Sequence, residues 1–273
     1  MHTVARPNGV DLAGPLERMR REAPLVQCLT NAVVTNVTAN ALLAAGAAPV
    51  MADLPGEAGE CAVAASAVLV NVGTPHDASR VAMREAVAAA RASGTPWVLD
   101  PVGVGALTLR TGFARELLAD RPAAIRGNAS EIRALAGEAA AGRGVDATCD
   151  VDAALSAARR LARETGAVVA VSGPQDLVVA RERELRISGG SAWLTRMTGG
   201  GCSLGAVVAA LVACAADAGP SAAVAAAHAL YAEASERAAG RADGPGSFAV
   251  AFLDALAEVA PADLASRPIE VAA

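Results

Sequence analysis

Short apolar runs alternate with longer stretches in which apolar positions recur every three or four residues. The runs Leu25–Leu29, Ala48–Met51, Val68–Val72, Trp97–Asp100, Ala124–Arg126 and Val168–Val171 are almost uninterrupted. Such runs predict strands covered on both faces. The spacing between them predicts helices over Val33–Ala45, Asp77–Ser93, Thr111–Ala119, Ser130–Ala136 and Val151–Glu164. Glycines close several of these, as in "LLAAG", "RASG" and "LARETG", in the manner of helix C-caps. The alternation predicts an α/β fold of three layers, α/β/α, around a mostly parallel sheet.

Two regions depart from that rhythm. In "DLVVARERELRISGG" two β-type runs flank a charged turn at Arg181–Glu184, which predicts an antiparallel hairpin at the sheet edge. From Cys202 onward the pattern is helical throughout, over Cys202–Asp217, Ser221–Ala239 and Gly246–Val259. A first helix is expected at Pro15–Glu22, behind a flexible tail over residues 1–14. No linker or internal repeat divides the chain, so a single domain over 1–273 is expected.

Composition narrows the chemistry. The chain is 53% apolar but only 2% aromatic, so its core must be built from Ala, Val and Leu. A net charge of −5 with scattered arginines gives no footprint for nucleic acid. The run Ala206–Ala216 is too short and Ala-rich to span a bilayer, and the N-terminus lacks the apolar core of a signal peptide. A cytoplasmic protein is expected. Five cysteines without a C-x-x-C pair suggest neither a disulfide framework nor a zinc site. The chain has no lysine, which excludes a Walker-A phosphate loop and Schiff-base chemistry. Its histidines, His2, His76 and His228, form no ligand pattern and read as ordinary surface or core residues.

Ligands of such sheets sit beyond the carboxyl ends of strands, and four segments meet that condition. In "LTNAVVTNVTANALLAAGAAPVMAD", Thr30 and Asn31 follow a strand and suit helix capping, Asn36 and Asn40 mark a polar helix face, and Met51 offers a soft apolar contact. In "WVLDPVGVGALTLR", Asp100 ends a strand. It is placed either to hold Mg²⁺ through waters or to start an Asp-Pro turn. The partial glycine pattern at Gly103 and Gly105 lacks its third glycine and gives little support to a dinucleotide site. In "IRGNASEI", Asn128 and Glu131 form a capping-box pattern, while Arg126 has a planar fork suited to phosphate. Last comes "TGGGC": Gly199, Gly200 and Gly201 leave backbone N–H groups free to converge on an anion at a helix N-terminus. Cys202 at that terminus is expected to have a lowered thiol pKa. Tight packing of a glycine turn is the competing reading.

Taken together, these segments, with "VLVNVGT" and "VAVSGPQD", resemble hydroxyethylthiazole kinase, the thiamine-salvage member of the ribokinase-like superfamily. The match runs in order from Pro24 to Ala216. The resemblance implies transfer of the γ-phosphoryl group of ATP to the primary alcohol of 4-methyl-5-(2-hydroxyethyl)thiazole, with Mg²⁺. It implies a homotrimer with sites at subunit interfaces. Met51, Gly199 and Asn31 would contact the thiazole; Arg126, Ser172 and Asn128 the ATP; Asp100 and Glu131 would serve Mg²⁺. Gly199, Gly200 and Gly201 would form the anion hole, with Cys202 as the base, a contribution on the order of 10²-fold. Two positions depart from the family pattern: Gly200 stands where T-G-T-G-C has its central Thr, and Ser172 replaces the Thr of V-T-G. The rival readings are a kinase of another small alcohol, such as a hydroxymethylpyrimidine, and an inactive binding relative.

Overall fold

The computed structural model describes residues 9–138, 151–181 and 183–272. Residues 1–8 of the expected tail, and Cys149, lie outside them. The rest of that tail is not free: Val10 and Leu12 are buried in the core, and helix α1 (Ala13–Glu22) follows at once.

All nine strands of the described residues belong to one sheet. In chain order they are β1 (Leu25–Leu29), β2 (Ala48–Val50), β3 (Ala67–Asn71), β4 (Trp97–Asp100), β5 (Ala124–Asn128), β6 (Val168–Ser172), β7 (Gln175–Ala180), β8 (Arg183–Ser188) and β9 (Ile269–Ala272). Across the sheet they run β2-β1-β3-β4-β5-β6-β7-β8-β9. Strands β1 to β6 are parallel, and the last three pairings are antiparallel. The predicted hairpin is β7–β8, but it is not the edge. The chain after Cys202 is not all helical, because β9 returns to pair outside β8.

Residues of period two serve two cores. In β3, Ala67 and Leu69 face one, while Val68 and Val70 face the other. The first core is covered by α1, α2 (Thr35–Ala45), α8 (Gly200–Ala213), α9 (Pro220–Ala239) and α10 (Pro245–Glu258), with α11 (Pro261–Ser266) at its margin. The second is covered by α3 (Ala58–Ala64), α4 (Asp77–Ser93), α5 (Thr108–Leu117), α6 (Ala129–Leu135) and α7 (Leu155–Thr165). Alanine dominates both, and its small side chain lets α8 and α9 lie close to the sheet with nearly every face buried. No helix among the described residues is long and apolar enough to cross a membrane.

Candidate functional site at the carboxyl edge of the sheet

The parallel strands end side by side, and each presents a candidate residue at or just beyond its carboxyl end. Read across the sheet they are Met51 after β2, Asn31 after β1, Asn71 on β3, Asp100 on β4, Arg126 and Asn128 on β5, and Ser172 on β6. The parallel register that aligns Asn71 with Asp100, and Asn128 with Ser172, makes this row. The turn Gly199–Cys202 at the start of α8 reaches the same edge.

Hydrogen bonds join most of the row. Asn31 Nδ2 donates to Asn71 Oδ1 at 3.0 Å, and Asn71 Nδ2 donates to Asp100 Oδ2 at 2.7 Å. Asn31 Nδ2 also lies 3.5 Å from Cys202 Sγ. Thus Asn31 does not cap α2; its side chain joins the chain from Asp100 to the thiol, and Val34 stands at the N-cap. Asn71 was not singled out from the sequence. Its signal was a lone amide in the buried run "VLVNV", where a polar group costs free energy unless it is paired.

On the other side, Arg126 donates from Nε and Nη2 to Ser172 Oγ, at 3.2 and 2.8 Å. A Cβ placed on Gly201 would stand 3.0 Å from Arg126 Nη1, so the guanidinium lies directly against the glycine turn. Asn128 and Glu131 form the capping box: Asn128 Oδ1 accepts from the Glu131 N–H, and Glu131 Oε2 from the Asn128 N–H, both at 2.9 Å. Glu131 Oε1 accepts from the Gly103 N–H at 2.9 Å. The capping-box reading of this motif is therefore realised, and Glu131 also holds the loop after β4. Met51 is partly buried against the first core at the outer end of the row. The loop after it is held by Gln27, whose Nε2 donates to the carbonyls of Ala52 and Ala58.

The turn itself is built by close approach. Gly199 has φ 86°, in the left-handed region that favours glycine. A Cβ at Gly200 would lie 2.6 Å from the Leu194 carbonyl oxygen, in the 3₁₀ turn Ala192–Arg196. The residue that departs from the family pattern is therefore one whose hydrogen is needed by neighbouring backbone. Helix geometry leaves the N–H groups of Gly201 and Cys202 without intrahelical acceptors.

Burial governs the ionisable groups. Asp100 is fully buried, and desolvation pushes its carboxyl up to about 7. Arg126 and the Asn71 hydrogen bond oppose this, and Glu131 adds to it. Its Oδ1 is buried without a hydrogen-bond partner. The Cys202 thiol is pushed up to about 11, by burial first and the Asp100 charge second, against Asn71, Arg126 and Asn31. The lowered thiol expected from the helix N-terminus is thus opposed by its surroundings: burial and the neighbouring Asp100 carboxylate push it up instead.

The sheet order with helices on both faces gives a ribokinase-like fold, and a row of polar strand ends facing a glycine turn on a helix N-terminus is an arrangement suited to a small-molecule kinase. The fold itself matches a ribokinase-like superfamily protein from Enterococcus faecalis with a TM-score of 0.61 at 11% identity. The hydroxyethylthiazole kinase family model matches residues 16–262, and the chain belongs to that family. Curated relatives named hydroxyethylthiazole kinase include one from Clavibacter sepedonicus, 56% identical over 95% of this chain and 92% of that protein. Another, from Kineococcus radiotolerans, is 55% identical over 93% and 91%. The solved hydroxyethylthiazole kinase of Pyrococcus horikoshii superposes with a TM-score of 0.87 at 35% identity, covering 96% of this chain and 99% of that one.

Proposed function

We propose that this protein phosphorylates the primary alcohol of 4-methyl-5-(2-hydroxyethyl)thiazole, with ATP as phosphoryl donor, in the cytoplasm. The observation that carries the reading is the continuous row from Met51 to Ser172, closed over by the glycine turn. It has an apolar end at Met51 for the thiazole and a cationic end at Arg126 for phosphates. Family membership supplies the substrate class. The alcohol would lie near Asn31, Gly199 and Cys202. Arg126 and Ser172 would hold the ATP phosphates, with Asn128 framing them through the helix it caps. Gly199, Gly200 and Gly201 would receive the γ-phosphoryl group in line, where the N–H groups of Gly201 and Cys202 and the positive end of α8 oppose its charge. Phosphoryl transfer asks little covalent chemistry of a protein, so positioning and charge stabilisation can supply most of the rate.

The donor set suits Mg²⁺. Asp100 has an unpartnered buried oxygen, and among the described residues no cluster of three His, Cys, Asp or Glu makes a protein-only cage. Magnesium usually keeps waters and uses one or two carboxylates with substrate phosphates. Asp100 would hold it directly or through water, and Glu131, whose oxygens already accept backbone N–H groups, through water. When bound, the ion supplies positive charge to the transferring phosphates. A homotrimer with shared sites belongs to the same reading. Purified protein with ATP, Mg²⁺ and the thiazole alcohol should release ADP, against controls with hydroxymethylpyrimidine, without acceptor and without metal. ADP release that requires the pyrimidine instead, or none above the acceptor-free control, would overturn the reading.

A further inference from the structure

Helix α9 supplies no side chain to the row just described, yet it carries polar residues that its packing does not require. It is built largely of alanine, and His228, Tyr231 and Ser235 are all buried within it. Their spacing of three and four places them on one face of the helix. A buried polar group destabilises the fold unless it is hydrogen-bonded. Each of these three is bonded to a different element: His228 to β7, Tyr231 to α8 and Ser235 to the segment before the 3₁₀ turn.

His228 Nδ1 donates to Asp176 Oδ2 at 2.7 Å, and Asp176 Oδ1 accepts from the Gly173 N–H at 2.9 Å. Gly173 directly follows Ser172, the partner of Arg126. Tyr231 Oη donates to Ser203 Oγ at 3.0 Å, and Ser203 Oγ donates to the Gly199 carbonyl at 2.7 Å. Gly199 is the left-handed residue that begins the glycine turn. Ser235 Oγ accepts from the Ser191 N–H at 3.0 Å, and Glu236 Oε1 from the Gly190 N–H at 2.6 Å. That segment leads into the 3₁₀ turn whose Leu194 carbonyl abuts Gly200. His228 Nε2 has no partner and is buried, so apolar packing alone gives no reason for an imidazole here.

We infer that the His228–Tyr231–Ser235 face of α9 is the positioning element of the phosphoryl-transfer side of the site, fixing through three separate anchors the turn that follows Ser172, the glycine turn at Gly199 and the segment that leads to Leu194. The inference rests on the proposed placement of ATP along Arg126, Ser172 and the glycine turn. The Asn31–Met51 end has its own supports, Asn71 and Gln27, and α9 reaches the acceptor only through Gly199.

The test compares His228→Leu, His228→Asn and Tyr231→Phe with wild type. Affinity for a non-hydrolysable ATP analogue with Mg²⁺ is measured calorimetrically, alongside KM for both substrates, kcat and thermal unfolding. His228→Leu should weaken analogue binding and raise KM for ATP by about tenfold, as loss of one buried hydrogen bond to a charged group implies, with KM for the thiazole alcohol within about twofold. His228→Asn keeps a donor for Asp176 and should recover most of that loss. Tyr231→Phe removes one oxygen from the support of Gly199, beside which the acceptor alcohol is placed, and should lower kcat several-fold and raise thiazole KM more than His228→Leu does. Variants that unfold earlier but keep analogue affinity and kcat within twofold of wild type would reduce α9 to a packing helix and overturn the inference. If His228→Leu does not fold, Tyr231→Phe decides by the same criterion. Wild-type protein that binds the analogue without phosphorylating the thiazole would sink the substrate assignment alone, leaving this inference to stand or fall on affinity. Wild-type protein that does not bind the analogue would sink both.

Discussion

Replacing Cys202 by Ala separates two accounts of how the acceptor is activated. A positioned general base contributes about 10²–10⁴-fold when it is in its basic form. With the thiol held at about 11, only about one molecule in three thousand carries a thiolate at pH ~7.5. Scaling the first figure by the second leaves a base contribution of at most about threefold at that pH. Cys202→Ala should therefore lower kcat by no more than a few-fold near neutrality, well below the 10²-fold expected of an accessible thiol base. The gap should widen toward pH 9, as about tenfold more thiolate forms per unit. The assay is ADP release against pH for wild type and variant, with circular dichroism as the check on folding. A loss of 10²-fold or more at pH 7.5 in a folded variant would refute the reasoning, because it would require a thiol that ionises far more easily than its burial allows.

Three further perturbations act on neighbouring parts of the row. Asp100→Asn should abolish most turnover yet stabilise the metal-free protein at pH 8. A carboxyl moved from 3.8 to about 7 by folding leaves stability untouched below pH ~4 and costs up to about 4 kcal/mol once pH exceeds ~7; an unchanged or lower Tm at pH 8 would contradict this. Gly200→Thr should lose about 1–3 kcal/mol by driving its Cβ into the Leu194 carbonyl, seen as a Tm several degrees lower, and an equal or higher Tm would refute the close approach. Arg126→Gln should raise KM for ATP by at least about tenfold while leaving thiazole affinity near wild type, and a matching loss in both would move Arg126 out of the nucleotide site.

Much of this arrangement was legible along the chain because it depends on local pattern. Uninterrupted apolar runs identified the six parallel strands, and the residues just past them are those the sheet brings into one row. What stayed hidden depends on neighbours distant in sequence. Helix α3 is seven residues long and starts after the Pro55–Gly56 turn, too short for its periodicity to register. Strand β9 is four residues with only Ile269 buried, and it is a strand because β8 offers it an edge. The Cys202 thiol followed the expectation for helix termini until Asp100 and the surrounding core entered the balance. His228 read as an ordinary core histidine because its carboxylate partner is 52 residues away.

The glycines of the turn show why identity at such a site is set from outside it. A Cβ on Gly199 would strike Val37 of α2, and one on Gly200 the Leu194 carbonyl. On Gly201 it would press on the Arg126 guanidinium, and on Gly205, one turn further along α8, on Leu69 and Asp100. Five elements thus close on the start of α8, and between them they need a missing side chain at four positions. Only Gly199 requires glycine for its backbone angle; the other three are helical and are glycine for space. Flexibility is therefore the wrong account of this loop. Backbone packed against backbone, carbonyl and guanidinium holds its N–H groups in place before any phosphate arrives, and preorganised donors of that kind need no reorganisation at the moment of transfer. A chain without lysine can assemble positive potential this way from Arg126, the helix end and the backbone, which is why the absence of a P-loop lysine does not exclude phosphoryl transfer.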